Sequence, residues 1–321
     1  MVTLLADGRE ESVGALVVPH GTTILGWERK PHGWCRGDAC IPSFRAAAAE
    51  TEQGVDLVKF AELLGRQAAV DLEEGVVAIG EPAESELDRA PDFGPLPGLR
   101  GTKVALVFWA SWCGCRYDLP AWEVLHRELG EYGFSVVSVS LDRAPEDAAE
   151  WLADVTHPAV VDADGRIAEL YNVINVPTVV WIDEEGRIAR PQDTMTATDT
   201  FRSMNGLSSE RAVSALRRWV VEGDAGTTTR RLLPPTDDER RARLHARLAA
   251  WLFRRDRKEA AERHLATAAG LAPHDLAIRR GLMPLNGVDP FGEEYFKLRE
   301  ELEEAGVAIY RPLPDWHEDV R

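Results

Sequence analysis

Phe108–Trp109–Ala110–Ser111–Trp112–Cys113–Gly114–Cys115–Arg116 closes the apolar run Val104–Phe108 and sets two thiols where a buried strand hands over to a helix. A cysteine at a helix N-terminus faces the positive end of the dipole and free backbone N–H groups, which lowers its pKa and makes it nucleophilic. Downstream, Asn175–Val176–Pro177–Thr178 precedes a second apolar run, Val179–Ile182. Thiol–disulfide exchange needs an attacking thiolate, a resolving thiol within reach and a hold on the partner's sulfur. Position makes Cys113 the candidate nucleophile, with Cys115 the candidate resolving thiol.

Trp112–Cys113, Arg116, Asp118 and Asn175–Val176–Pro177–Thr178 together resemble the thioredoxin superfamily, most closely its TlpA/ResA-like branch of thiol–disulfide oxidoreductases. The resemblance implies that Pro177 is cis and lies opposite the cysteines, leaving Val176 free to pair with an extended substrate. It also implies an aromatic surround that includes Trp112. Asp118, followed by Pro120, matches the acidic residue of the family's Cys-Arg-x-Glu-x-Pro continuation and is the candidate proton carrier; the alternative is a first-turn acid favoured by the helix dipole. Trp109 reads as core.

The chain departs from the family at one point, because only Gly114 separates the cysteines. On an α-helix, positions i and i+3 point about 60° apart and positions i and i+2 about 160°. A Cys-x-Cys pair therefore cannot close while both residues are helical. Gly114 offers unusual backbone angles. We expect Cys113–Gly114 in a non-helical turn, the helix beginning at or after Cys115, and a strained, more oxidising disulfide. The alternative is a Cys115 that only fills space.

At 321 residues, with 45% hydrophobic and 28% charged content, the chain can hold two or three domains. A net charge of −17 argues against nucleic acid or an anionic membrane as partner. The acidic excess lies before residue 236, and the arginines beyond it read as solvated helix faces. No apolar stretch approaches the roughly 20 residues that span a bilayer. The first ten residues lack a basic segment followed by an apolar one, so the expected location is cytoplasmic. The chemistry read here requires no cofactor and no resident metal.

The expected fold class is α/β, in three parts. Residues 1–88 form a small α+β domain, with a hairpin of Val13–Val18 and Thr22–Trp27, a helix over Asp56–Gln67 and a strand at Val76–Ile79. Residues 89–225 form the thioredoxin-like domain, entered through Ala90–Pro91–Asp92–Phe93 and a Pro/Gly-rich stretch to Gly98. Its strands alternate with helices, which implies a partly parallel sheet covered on both faces. An irregular excursion over 191–207 exceeds what the family core needs. Residues 236–321 are helical and end in the Pro/aromatic tail Arg311–Trp316. Leu248, Ala249, Leu252, Ala261, Leu265, Ala268 and Pro273 fall at spacings that resemble one tetratricopeptide repeat. A lone repeat cannot bury its apolar face, so this helix pair is expected to dock on the central domain, a second copy or a partner protein.

Cys35 and Cys40, expected in a loop, admit three readings: a second redox pair exchanging with Cys113, a metal site with His20 or His32, or a local structural pair. His126 and His157 read as packing residues. The leading function is disulfide exchange with a protein or small-thiol substrate. One rival is a redox-sensing or redox-inactive scaffold that binds a partner through the groove at Pro177. A peroxidase-like enzyme is the other, disfavoured because Ala110 and Leu106 stand where a peroxiredoxin needs Thr or Ser and Pro.

Overall fold

A computed structural model describes residues 1–83, 85–92 and 101–313. Phe93–Gly98 of the expected domain opening and Pro314–Trp316 of the expected tail lie outside the described residues. The chain divides into two compact units that do not follow its linear order. One comprises Met1–Ala83 and Thr236–Ala272, the other Glu84–Pro235 and Pro273–Arg321. The expected segment 236–321 is thus shared between them.

In the second unit, five strands run in the order Ala159–Val161, Phe134–Ser140, Lys103–Trp109, Thr178–Ile182, Ile188–Asp193. The first three are mutually parallel, and Thr178–Ile182 and Ile188–Asp193 add antiparallel. Alternation along the central strand explains its unbroken apolar reading. Leu106 and Phe108 face a core with Ile167 and Tyr171, whereas Ala105 and Val107 face one with Trp122, Leu125 and Trp219. Both faces are covered, as a mostly parallel sheet requires. Trp219, on the helix Ser209–Glu222, stacks on Trp181 at 4.9 Å.

Inside this unit, Glu123 of the helix Leu119–Leu129 anchors the loop before Ala159. Its carboxylate accepts hydrogen bonds from Thr156 N and His157 N at 2.9 and 3.2 Å and contacts His157 Nδ1 at 2.9 Å. Burial alone would raise its pKa; the donors on Thr156 and His157 outweigh it and hold the carboxyl at about 2. His126 accepts from Val136 N. Both histidines are packing residues.

In the first unit, four strands run in the order Arg9–Val13, Val2–Ala6, Val76–Ile79, Ala68–Asp71. Asp56 caps the helix Leu57–Leu63 through Val58 N and Lys59 N. The expected hairpin of Val13–Val18 with Thr22–Trp27 does not form. Val17–Val18 pairs with Gly54–Asp56, and Leu25, at φ 51°, turns the chain so that Ile24 bridges Trp27. The hairpins lie further on, in the meander Glu28–Lys30, Gly33–Arg36 and Ala39–Pro42. There Cys35 stands directly across from Cys40, on strands and not in the expected loop.

The helices Asp237–Phe253 and Lys258–Leu271 belong to this first unit. Leu244, Leu248, Trp251, Leu252 and Ala261 bury against Leu5, Ala69, Val76 and Ala78 of the sheet. The cover expected from the central domain, a second copy or a partner is thus supplied by the first unit's own sheet, as further repeats would supply it. Arg240 and Arg247 are buried, contrary to the expected solvated faces. They donate to the backbone oxygens of Gly65, Glu81 and Ile79 at 3.0–3.1 Å.

Two outcomes follow for stability. Replacing both Cys35 and Cys40 by Ser should destabilise the first unit by about 2 kcal/mol, the loop-closure value for so short a ring, read from denaturant midpoints. Glu123→Gln should cost about 2–3 kcal/mol near neutral pH. Because the folded pKa lies below the unfolded value of about 4.3, this stabilisation is complete above that value and is lost as pH falls towards the folded one. The gap between wild type and Glu123→Gln should therefore close in acid, as melting temperatures across pH would reveal.

Candidate active site

The thiols sit at the C-terminal end of the central strand, the end of a parallel sheet at which ligands usually bind. Ser111 pins the connection, donating from its N and Oγ to Asp142 at 3.0 and 2.6 Å. Arg116 donates to Ser111 O and lies 4.7–4.8 Å from the rings of Tyr117, Trp151 and Phe291. Cys113 is extended (φ −118°, ψ 142°) and caps a short 3₁₀ turn, Gly114–Asp118, with the α-helix proper starting at Leu119. The expected non-helical conformation therefore holds for Cys113, while Gly114 is already the first residue of the turn. The need for glycine also differs from the expected one. A Cβ on Gly114 would collide with the ring of Phe201, which lies over it.

Cys113 and Cys115 are both free thiols and both buried. Cys115 N donates to Cys113 Sγ at 3.3 Å, and Cys113 Sγ lies 3.5 Å from Val176 O. Burial pushes the Cys113 pKa up. The hydrogen bond from the Cys115 thiol, the charge of Arg280 and the Cys115 N–H outweigh it, leaving Cys113 below the usual thiol value. Cys115 is driven well above that value, first by burial and then by its bond to Cys113. The two thiols are thus unequal in the sense that an attacking and a resolving cysteine require.

The Val176–Pro177 bond is cis, and Pro177 faces the same cavity as Cys113, Cys115 and Asp118. Asp118 accepts from Ala197 N at 3.0 Å and from Thr198 Oγ1. Burial, outweighing these bonds, raises its pKa. Val176 departs from its expected role. It is 1% exposed, its N–H is taken by Asn175 Oδ1 at 2.9 Å and its carbonyl faces Cys113. Trp112 also departs, being buried beneath Arg280, whose guanidinium lies 5.5 Å from its ring.

The cavity measures about 320 Å³. The 191–207 excursion supplies Thr196, Thr198, Phe201, Met204 and Asn205 to its walls. Arg280, Phe291, Tyr295, Phe296 and Tyr310 complete them, and none of these five was singled out from sequence. Arg280 carried one legible signal. On the short helical stretch from Leu276 it falls one turn after Leu276, on the apolar face, where an arginine is out of place.

Cys35 and Cys40 form a disulfide in the first unit, with His32 Nε2 3.3 and 3.7 Å from their sulfurs. His32, Cys35 and Cys40 could hold a metal only with that bond reduced. His20 is engaged with Thr51 O instead.

The AhpC/TSA family matches residues 95–190. Thioredoxin-like protein YneN of Bacillus subtilis is 35% identical over 134 residues, which cover 37% of this chain and 76% of YneN. Thiol-disulfide oxidoreductase ResA of Oceanobacillus iheyensis is 34% identical over 96 residues, 29% of this chain and 50% of ResA. Among solved structures, StoA of Bacillus subtilis shares 27% identity, covers 30% of this chain and 78% of its own, and superposes with a TM-score of 0.27. The chain thus spans about half of ResA and three quarters of YneN. With its cysteine-bearing turn, its cis-proline and that extent of shared sequence, the chain belongs to the thioredoxin-like family.

Proposed function

We propose that this chain is a thiol–disulfide oxidoreductase, with Cys113 attacking and Cys115 resolving. One observation carries the reading: a lowered thiol and a raised one share a cavity with a cis-proline and a carboxyl group. The Cys113 thiolate attacks a substrate disulfide, forms a mixed disulfide and releases the first thiolate. Cys115 then attacks the Cys113 sulfur and displaces the second. Because the Cys115 pKa is raised, its proton must be taken as it reacts. Asp118, whose pKa burial raises from its ordinary value, is the base at hand. The scaffold alternative needs an open groove at Val176, and the engaged backbone there argues against it.

The proposal places the chain in the cytoplasm. A membrane-impermeant amine reagent should then label its lysines only after cells are permeabilised, and labelling of intact cells would overturn that location.

Thiol trapping with peptide mapping across a dithiothreitol or glutathione series should give a reversible Cys113–Cys115 disulfide. Cys113→Ser should abolish exchange, and Cys115→Ser should accumulate a mixed disulfide on Cys113. If no mixed disulfide can be trapped, Cys115 is not the resolving thiol. Asp118→Asn should slow resolution on the order of 10²-fold near neutral pH. The deficit should shrink as pH rises and solvent deprotonates Cys115, a profile that quenched-flow alkylation would record.

A further inference from the structure

The chain's own C-terminal segment bonds to residues around the cis-proline, mostly through their side chains. Ala277 N donates to Ile174 O at 2.9 Å, and Asn175 Nδ2 donates to Ile309 O at 2.8 Å. Arg311 N donates to Thr194 Oγ1 at 2.9 Å and Leu313 N to Asp193 Oδ1 at 2.7 Å. Among the described residues, these bonds, the engaged Val176 N–H and a Cys113 only 6% exposed obstruct an extended polypeptide at the cis-proline. What remains is the cavity. Its volume of about 320 Å³ lies at the lower end of the roughly 300–1,000 Å³ usual for small-molecule sites.

The walls indicate the charge of the occupant. They are largely aromatic, from Phe201, Phe291, Tyr295 and Phe296, and among the described residues Arg280 is the one cation in them. Arg280 is 5% exposed, and its Nε donates to Pro290 O at 2.9 Å. Its guanidinium centre lies 3.6 Å from the Tyr295 ring and 5.1 Å from that of Phe291. Among the described residues, no ion pair joins it to a carboxylate. Ring faces return about 2 kcal/mol to a desolvated cation, and a buried charge ordinarily requires more. Asp118 does not fill that place: its carboxylate is turned to Ala197 N and Thr198 Oγ1, and no ion pair joins it to Arg280.

We infer that the cavity binds a small disulfide bearing a carboxylate, held by Arg280 with a sulfur presented to Cys113. This rests on the oxidoreductase reading and adds the substrate class. The Cys113 thiolate forms a bond to one substrate sulfur as the S–S bond breaks, and the first thiol leaves carrying the carboxylate. Attack by Cys115 releases the second. Two electrons pass from the cysteine pair to the substrate, which departs as two thiols, and the pair is left as a disulfide.

The test uses pre-reduced full-length protein and three disulfides with the same two-carbon spacer. These are anionic 3,3′-dithiodipropionate, neutral bis(2-hydroxyethyl) disulfide and cationic cystamine. The rate of Cys113–Cys115 disulfide formation is read by quenched alkylation and mass spectrometry, each rate normalised to that with free 2-mercaptoethanol. The expected order is anionic, neutral, cationic, with about tenfold between the first two. Arg280→Gln should slow all three through the loss of charge beside Cys113 and should also erase the preference. Arg280→Lys should keep part of it. A preference unchanged in Arg280→Gln and Arg280→Lys, or insulin disulfides reacting as fast as dithiodipropionate, overturns the inference and leaves the oxidoreductase reading standing. No reaction with any disulfide, insulin included, overturns both.

Discussion

A thiolate kept away from water needs positive charge and hydrogen-bond donors close by, and the second unit is arranged around meeting that need at Cys113. Solvation is replaced by the Cys115 N–H and thiol and by a guanidinium supplied 167 positions later in the chain. The arginine is itself buried, so it too must be supported. Tyr295, Phe291 and Trp112 do this by presenting their ring faces. The segment after Pro273 is therefore part of the reactive centre, although it lies beyond the five-stranded sheet. An exposed thiol at a helix N-terminus could rely on the dipole and water; one enclosed by Phe201, Tyr295 and Tyr310 cannot.

The two thiols also divide the ionisation between them. A hydrogen bond from Cys115 to Cys113 stabilises charge on the acceptor and makes the donor harder to ionise. One contact thus lowers one pKa and raises the other, setting the order of attack without a second cation. Spacing contributes here. With a single residue between them, the Cys115 N–H falls on the Cys113 sulfur, and Gly114 lets Phe201 close over the pair.

Legibility followed sequence distance. Cys113, Cys115, Asp118 and Pro177 could be read because each sits at a strand or helix end in a short pattern whose chemistry is local. The helix Leu57–Leu63 and the strands of the five-stranded sheet could be read because periodicity reports which face is buried. Val176 was read as free, since nothing local announces that Asn175 turns back onto its N–H. Arg280 and Tyr310 could not be placed, because their proximity to the thiols comes from tertiary packing alone. Gly114 is a subtler case. Its identity invited an argument from backbone freedom, whereas the reason is a ring from the 191–207 excursion. The helices Asp237–Phe253 and Lys258–Leu271 were recognised as helices, but not the sheet that covers them, whose strands come from the other end of the chain.

That last arrangement bears on how the chain is made. The first unit is built from two separate segments, Met1–Ala83 and Thr236–Ala272, with the stretch Glu84–Pro235 of the thiol-bearing unit inserted between. On the ribosome, Val2–Ala6 and Val76–Ile79 emerge long before the helices that cover Leu5, Val76 and Ala78. The five-stranded sheet, contiguous from Lys103 to Asp193, can assemble meanwhile. The N-terminal module, usually the first to fold, thus waits for residues made after that sheet. Until residue 272 is released, the early strands keep an uncovered apolar face during synthesis, a period in which chaperone protection would count most.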